Sequence, residues 1–155
     1  MLFLLPIMMA CGGGNVVIQE AKAMARMGID ARLVNLRHHQ ARFEHYHPGL
    51  DLPVDYIARP EDLDSLVAGA DAIVATLYVT VRWIADSLRR TDDTRLVPAY
   101  YVQDFEPYFF AEGTSEHRLA RESYALLPNL VRLTKTRWNQ QEVRAQCGVE
   151  SVVVG

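Results

Sequence analysis

The chain has 155 residues, of which 50% are hydrophobic, and its formal net charge is -3 with a pI near 5.9. This length suits one globular domain with a substantial core, and sixteen scattered Lys and Arg residues in an acidic chain argue against non-specific binding to nucleic acid or anionic membranes. Cys11 and Cys147 lie far apart in the sequence, which suggests neither a disulfide framework nor a zinc site. We therefore expect one domain over residues 1–155, in a reducing compartment.

Seven apolar runs of strand length recur along the chain. Their hydrophobicity is continuous rather than alternating, which indicates strands buried on both faces, in a parallel sheet covered by helices. The first run has the apolar character of a secretory signal but lacks its basic start, so a buried strand that ends at a glycine turn is the favoured interpretation. Pro98 cannot donate to a ladder, so we expect the fifth strand to pair only from Ala99 onward. The predicted strands cover residues 2–8, 31–36, 54–57, 72–77, 99–102, 130–134 and 151–154.

Helical patterns separate these strands. In the first, Asn15 is predicted as the amino-terminal cap and Gly28 as the left-handed residue that ends the helix. The second begins at Pro60, the third follows Thr80, the fourth is predicted to be capped by Ser115 and to run to about residue 127, and the fifth covers residues 136–147 before Gly148. The apolar positions that we expect on the buried faces of the first and third helices are Val17, Ile18, Ala21, Met24, Ala25, Val81, Ile84, Ala85 and Leu88.

Residues 37–53 show no clear period and are predicted to form a long crossing loop. This segment contains a dense group of polar side chains that raises the question of a metal site: His38, His39, Glu44, His45 and His47. The group lacks the His-Glu-x-x-His spacing of helical zinc sites, and we interpret it as a solvated loop without a metal.

Gly12, Gly13, Gly14 and Asn15 lie between the first strand and the first helix, where backbone N–H groups could bind an anion or a sugar. A tight turn that simply requires glycine is the structural alternative. The dinucleotide fingerprint is incomplete, because Val17 stands at the third glycine position and the second strand ends in Leu36-Arg37 without an acidic residue. A nicotinamide-dependent oxidoreductase is therefore disfavoured.

The segment 103–110, Gln-Asp-Phe-Glu-Pro-Tyr-Phe-Phe, directly follows an apolar strand. In a parallel sheet this position is the carboxyl edge, where α/β folds form their ligand crevices. Asp104 could accept a proton from an attacking hydroxyl, with Glu106 as the alternate, and the aromatic rings could stack on a sugar. Packing of the rings and bonding of both carboxylates to backbone donors is the competing interpretation. Thr76, Thr80 and Trp83 are expected at the same edge.

With these residues in hand, the chain resembles the amino-terminal lobe of GT-B glycosyltransferases, especially the bacterial group-1 and rhamnosyltransferase-like branch. The resemblance runs over nearly the whole length, and its most specific block is the Gln-Asp-Phe-Glu-Pro sequence at 103–107. The other segments that carry it are the glycine run at 12–15, Ala-Asp-Ala-Ile-Val-Ala-Thr at 70–76, Glu-Ser-Tyr at 122–124 and Thr-Lys-Thr-Arg-Trp at 134–138.

The resemblance implies a Rossmann-like three-layer α/β/α domain with a mainly parallel sheet of about seven strands, forming the acceptor-side lobe of a two-lobed enzyme. It implies a saccharide acceptor and a nucleoside-diphosphate sugar donor, the latter held mainly by a carboxyl-terminal lobe that these residues lack, with no resident cofactor or metal. By this analogy Asp104 and Glu106 are candidate catalytic residues, and Gly13, Gly14, Asn15, Thr80, Gln103 and Tyr108 are candidate substrate-binding residues.

The same resemblance implies a bacterial cytoplasmic enzyme of polysaccharide biosynthesis, with the parent protein peripheral at the inner membrane as a further option. The apolar end of the chain, 152–155, has no closing helix, and we expect the natural protein to continue beyond it. An isolated lobe of this kind would expose the surface that faces its other half, so self-association is expected. The alternative function is a non-catalytic Rossmann-like module that binds a small molecule or a partner chain.

Overall fold

The computed structural model describes residues 1–92 and 94–154 and contains a seven-stranded sheet in which every pairing is parallel. The strand order is β3-β2-β1-β4-β5-β6-β7, with helices on both sides. This confirms the Rossmann-like three-layer prediction. Gly155, the last residue of the apolar end at 152–155, lies outside the described residues. The strands are β1 Leu2–Leu4, β2 Arg32–Leu36, β3 Val54–Ile57, β4 Ala72–Ala75, β5 Val97–Val102, β6 Val131–Thr134 and β7 Val152–Val153.

Within the described residues, six α-helices cover the two faces of the sheet, and each face has its own apolar core. One core joins the sheet to the first two helices and contains Val17, Ile18 and Phe43. The other joins the sheet to the remaining four helices and contains Tyr100 and Tyr124. The helices are α1 Gly12–Arg26, α2 Gln40–Tyr46, α3 Leu63–Val67, α4 Tyr78–Thr91, α5 Ser115–Ser123 and α6 Arg137–Cys147.

The prediction for the start of the fifth strand was wrong, because β5 begins at Val97 and includes Pro98. The N–H of Val97 donates to the carbonyl of Asp71 on the β4 side. Successive residues of a strand direct their backbone groups to opposite neighbours, so the nitrogen of Pro98 faces β6. Pairing with β6 begins only at Ala99, so at Pro98 no ladder bond is lost.

Three predicted helix starts were also wrong, whereas the second helical segment begins at Pro60 as predicted, with a 3₁₀ turn over Pro60–Asp62 that leads directly into α3. The cap of α1 is Cys11, whose Sγ accepts from the N–H of Gly14 at 3.3 Å, so the glycine run and Asn15 lie inside the first turn of the helix. The cap of α5 is Thr114 rather than Ser115, and the helix ends at Ser123 instead of continuing to about residue 127. Helix α4 starts at Tyr78, so Thr80 lies within its first turn. The predicted ends at Gly28 and Gly148 are confirmed by their positive φ angles.

The predicted loop at residues 37–53 is partly wrong, since it contains a 3₁₀ turn at Arg37–His39 followed by α2. Phe43 fixes this short helix by packing its fully buried ring into the core on the α1 side of the sheet. One buried aromatic in seven residues gives too little periodicity to reveal a helix from sequence. Among the described residues, no helix combines the length and the apolar composition needed to cross a bilayer.

Candidate functional site

The strand order reverses direction between β1 and β4, and a cleft opens at the carboxyl edge of the sheet at this point. Connections from β1 run to one side and connections from β4 run to the other, so the loops after these strands separate and leave a crevice. The cavity has a volume of about 360 Å³. We call it the switch-point cleft, and its lining residues are Gly13, Val16, Thr76, Leu77, Gln103, Asp104, Glu106 and Phe109.

Consecutive residues in the first turn of α1 face three different environments. Gly13 lines the switch-point cleft, and a Cβ atom placed on it would lie 2.9 Å from Oε1 of Gln103. Gly14 is buried, and a Cβ atom there would lie 2.4 Å from Cδ1 of Ile7. Asn15 is exposed and lines a separate cavity. The structure thus brings Gly13 to the Gln103 side chain and places the other two residues elsewhere.

Asp104 is an exposed carboxylate at the mouth of the switch-point cleft. Its Oδ1 accepts from the N–H of Phe105 at 2.8 Å, and its backbone carbonyl accepts from the hydroxyl of Tyr124 at 3.3 Å. In residues 1–92 and 94–154 no Lys or Arg pairs with this carboxylate. Asp104 is therefore held in place through its backbone, with the second carboxylate oxygen available to a ligand.

Glu106, two residues further on, has a different environment, since its side chain is only 6% exposed. The N–H of Tyr78, the first residue of α4, donates to both carboxylate oxygens at 3.0 and 3.1 Å. The hydroxyl of Tyr100 donates to Oε1, and the N–H of Glu106 donates to the hydroxyl of Tyr124 at 3.2 Å. Glu106 thus supplies the cap that Leu77, which precedes α4, cannot provide with an apolar side chain.

Burial dominates the ionisation of this group. Desolvation raises the pKa of Glu106, and the negative charge of Asp104 adds to that rise, whereas the bonds from Tyr100 and Tyr78 oppose it. Desolvation together with the charge of Glu106 raises the pKa of Tyr100 well above its ordinary value, so Tyr100 remains a hydrogen-bond donor. Glu106 therefore has the environment of a structural anchor between β5, α4 and α5.

Thr80 also forms part of the framework, because its side chain is fully buried. Its Oγ1 accepts from the N–H groups of Thr76 and Leu77, each at 3.1 Å, and donates to the carbonyl of Leu77 at 2.7 Å. These bonds close the turn between β4 and α4. The hydroxyl therefore cannot contact a ligand in the cleft, and the predicted substrate-binding role does not fit this position.

The aromatic side chains of the 3₁₀ turn Glu106–Phe109 diverge. Phe109, 62% exposed, lines the switch-point cleft. Tyr108 is outside the cleft lining, and its hydroxyl donates to Oε2 of Glu142 in α6 at 2.6 Å. Its ring lies 6.4 Å from that of Trp138. Of the two exposed aromatic side chains of this turn, the structure therefore places Phe109 at the switch-point cleft and Tyr108 against α6.

The histidine group does not converge. Nδ1 of His39 lies 3.0 Å from Oδ1 of Asn35, while the exposed ring of His45 contacts that of Tyr46. His47 lines a different cavity, beside Phe43. Across the described ranges, no set of three or more His, Cys, Asp or Glu side chains is arranged to hold a metal ion.

Comparison with family models, with curated proteins and with solved structures gave no match.

Proposed function

We propose that the chain is the acceptor-side domain of a glycosyltransferase and that the switch-point cleft binds the saccharide that receives the transferred sugar. The observation that carries this proposal is the meeting of Gly13, Gln103, Asp104 and Phe109 around one cavity at the strand-order reversal. The amide of Gln103 and the carboxylate of Asp104 can form hydrogen bonds with sugar hydroxyls. The ring of Phe109 offers an apolar surface to the C–H face of a pyranose. The resemblance of the Gln-Asp-Phe-Glu-Pro block to GT-B enzymes supplies the reaction.

In that reaction an acceptor hydroxyl attacks the anomeric carbon of a nucleoside-diphosphate sugar, the new glycosidic bond forms, and the nucleoside diphosphate leaves. Asp104 is the group in the described residues that best fits the acceptor hydroxyl, because its carboxylate is exposed at the cleft and its backbone is fixed by Tyr124. It would orient that hydroxyl or accept its proton as the bond forms. Glu106 would hold the loop and stay outside the chemistry, as its occupied oxygens indicate.

A non-catalytic Rossmann-like module that binds a small molecule or a partner chain is the second candidate. The assignment of Glu106 to the framework leaves Asp104 as the one carboxylate of the cleft lining with a side chain available for proton transfer, so the catalytic case depends on that single group. A binding module needs no general base, whereas a transferase that forms a glycosidic bond from a hydroxyl is helped by one.

Titration of the ¹⁵N-labelled chain, followed by backbone amide shifts, tests the binding step. We expect neutral oligosaccharides to shift the signals of Gly13, Gln103 and Asp104, and a nucleotide sugar alone to shift them far less. Phe109→Ala should weaken saccharide binding, and Tyr108→Ala, an exposed aromatic of the same turn outside the cleft, is the matched control. Shifts confined to other surfaces, or equal losses in both variants, would refute the assignment of the cleft.

A turnover assay separates the two candidates. In a polypeptide that also contains a donor-binding lobe, Asp104→Asn should lower kcat by about 10² with saccharide binding retained, if Asp104 handles the proton. Unchanged turnover would remove Asp104 from the chemistry, and the absence of any transfer with a panel of nucleotide sugars would favour the binding module.

A further inference from the structure

We propose that the switch-point cleft selects saccharides by charge: it accepts a sugar unit that is neutral or carries an ammonium group, and it rejects one that carries a carboxylate or phosphate. That the ligand is a saccharide rests on the proposed function. The selection by charge comes from the groups around the cleft. It is the opposite of what helix termini at a strand-order reversal ordinarily provide, since these favour anions.

The amino end of α4 faces the cleft, but its capacity for an anion is already used by the protein itself. The carboxylate of Glu106 accepts a hydrogen bond from the N–H of Tyr78. Oγ1 of Thr80 accepts from the N–H groups of Thr76 and Leu77, which precede the helix. An incoming phosphate would have to displace a buried internal carboxylate from this position. The partial positive charge of the helix end is therefore matched internally.

The amino end of α1 is the other positive pole, and it also has internal partners. The N–H of Gly14 donates to Sγ of Cys11, and the amide of Gln103 lies against Gly13. Asp104 lines the same cavity and contributes a full negative charge, whereas a helix end contributes only about half a positive one. A second anion bound here would face net repulsion.

No basic side chain among the described residues lines the cleft to reverse this balance. Lys135 follows β6 at the same edge of the sheet, but its Nζ lies 2.6 Å from Oε1 of Glu20. Arg137, exposed in the first turn of α6, lies outside the cleft lining. The ionisable lining residues are Asp104 and Glu106, and both are acidic.

Nine sugar probes in three series test the charge selection, with one series for each of the gluco, galacto and manno configurations. Each series contains the neutral methyl glycoside, its 2-amino derivative and its uronic acid. Dissociation constants come from amide shifts of the full chain at low ionic strength. Within at least one series we expect the amino sugar to bind about threefold tighter than the neutral glycoside, and the uronic acid at least about fivefold weaker, as for partly solvated charge pairs. High salt should compress these ratios.

In Asp104→Asn the three dissociation constants of a series should become similar. Asp71→Asn is the matched control, because Asp71 is an exposed acid at the amino edge of the sheet. Equal or tighter binding of the uronic acid by the unmodified chain would overturn the charge selection while leaving saccharide binding intact. Persistence of the ranking in Asp104→Asn would likewise overturn it. Failure of all nine probes to bind would instead refute the saccharide-binding function.

Discussion

Replacing Glu106 by alanine should destabilise the fold, because this carboxylate joins three elements behind the cleft. The substitution leaves the hydroxyl of Tyr100 buried without its acceptor and exposes the first N–H of α4 at Tyr78. The hydroxyl of Tyr124 also interacts with that of Tyr100, but it is bonded to the backbone of residues 104 and 106 as well, so it replaces the lost carboxylate only in part.

The magnitude follows from these losses. An unsatisfied buried hydroxyl costs about 1–3 kcal/mol. Loss of a helix cap costs about 0.5–2 kcal/mol. Removal of the desolvated Glu106 charge offsets part of these two losses, because burial disfavours the charged form, as the raised pKa of Glu106 shows. We expect the free energy of unfolding to fall by about 2–4 kcal/mol, which for a domain of this size lowers Tm by about 10 °C.

Urea denaturation followed by circular dichroism measures this loss, and Glu112→Ala, an exposed acid of the neighbouring loop, should change stability by less than about 0.5 kcal/mol. A double-variant cycle sharpens the test. Tyr100→Phe removes the orphaned hydroxyl, so the double variant should be more stable than Glu106→Ala alone. Loss of under about 1 kcal/mol in Glu106→Ala, or strictly additive effects in the double variant, would refute the account of the carboxylate as an anchor.

Three further outcomes follow from the same contacts. Gly13→Ala should leave stability unchanged or raise it by up to about 1 kcal/mol, because the new Cβ meets only the flexible end of Gln103, yet weaken saccharide binding in the amide-shift titration. Thr80→Val should lower the free energy of unfolding by at least about 2 kcal/mol in urea, whereas Thr80→Ser keeps the hydroxyl and should lose less than about 1 kcal/mol. Because the pKa of Glu106 is raised in the folded state, its contribution is fully present below the ordinary glutamate value of about 4.3 and is lost as pH rises through the folded-state pKa. The stability advantage of the unmodified chain over Glu106→Gln should therefore be larger near pH 4 than near pH 7, and an advantage that grows with pH would contradict the sign.

Much of the fold could be predicted from the sequence. The continuous apolar runs predict the seven parallel strands, because a strand covered on both faces has no polar side to alternate with. The burial they imply holds for central strands such as β1 and β4, whereas the edge strand β7 is partly exposed. The position of Gln103 and Asp104 at the carboxyl edge follows in turn, since they come directly after the buried strand that ends at Val102. The capping residues were harder to place, because cysteine is not among the residues that ordinarily cap helices, and because Thr114 and Ser115 carry the same kind of hydroxyl one position apart.

Only the tertiary structure decided which of the candidate residues face the cleft. Consecutive helix residues point about 100° apart, so Gly13, Gly14 and Asn15 could not all share one cavity, and which of them meets the cleft depends on how α1 lies on the sheet. Asp104 and Glu106 are chemically alike and two residues apart, yet one is solvated and the other is bonded to Tyr78 and Tyr100. The sequence alone determines that two carboxylates reach this edge of the sheet. The packing of α4 and α5 against the loop determines that Glu106 anchors the fold and that Asp104 faces the switch-point cleft.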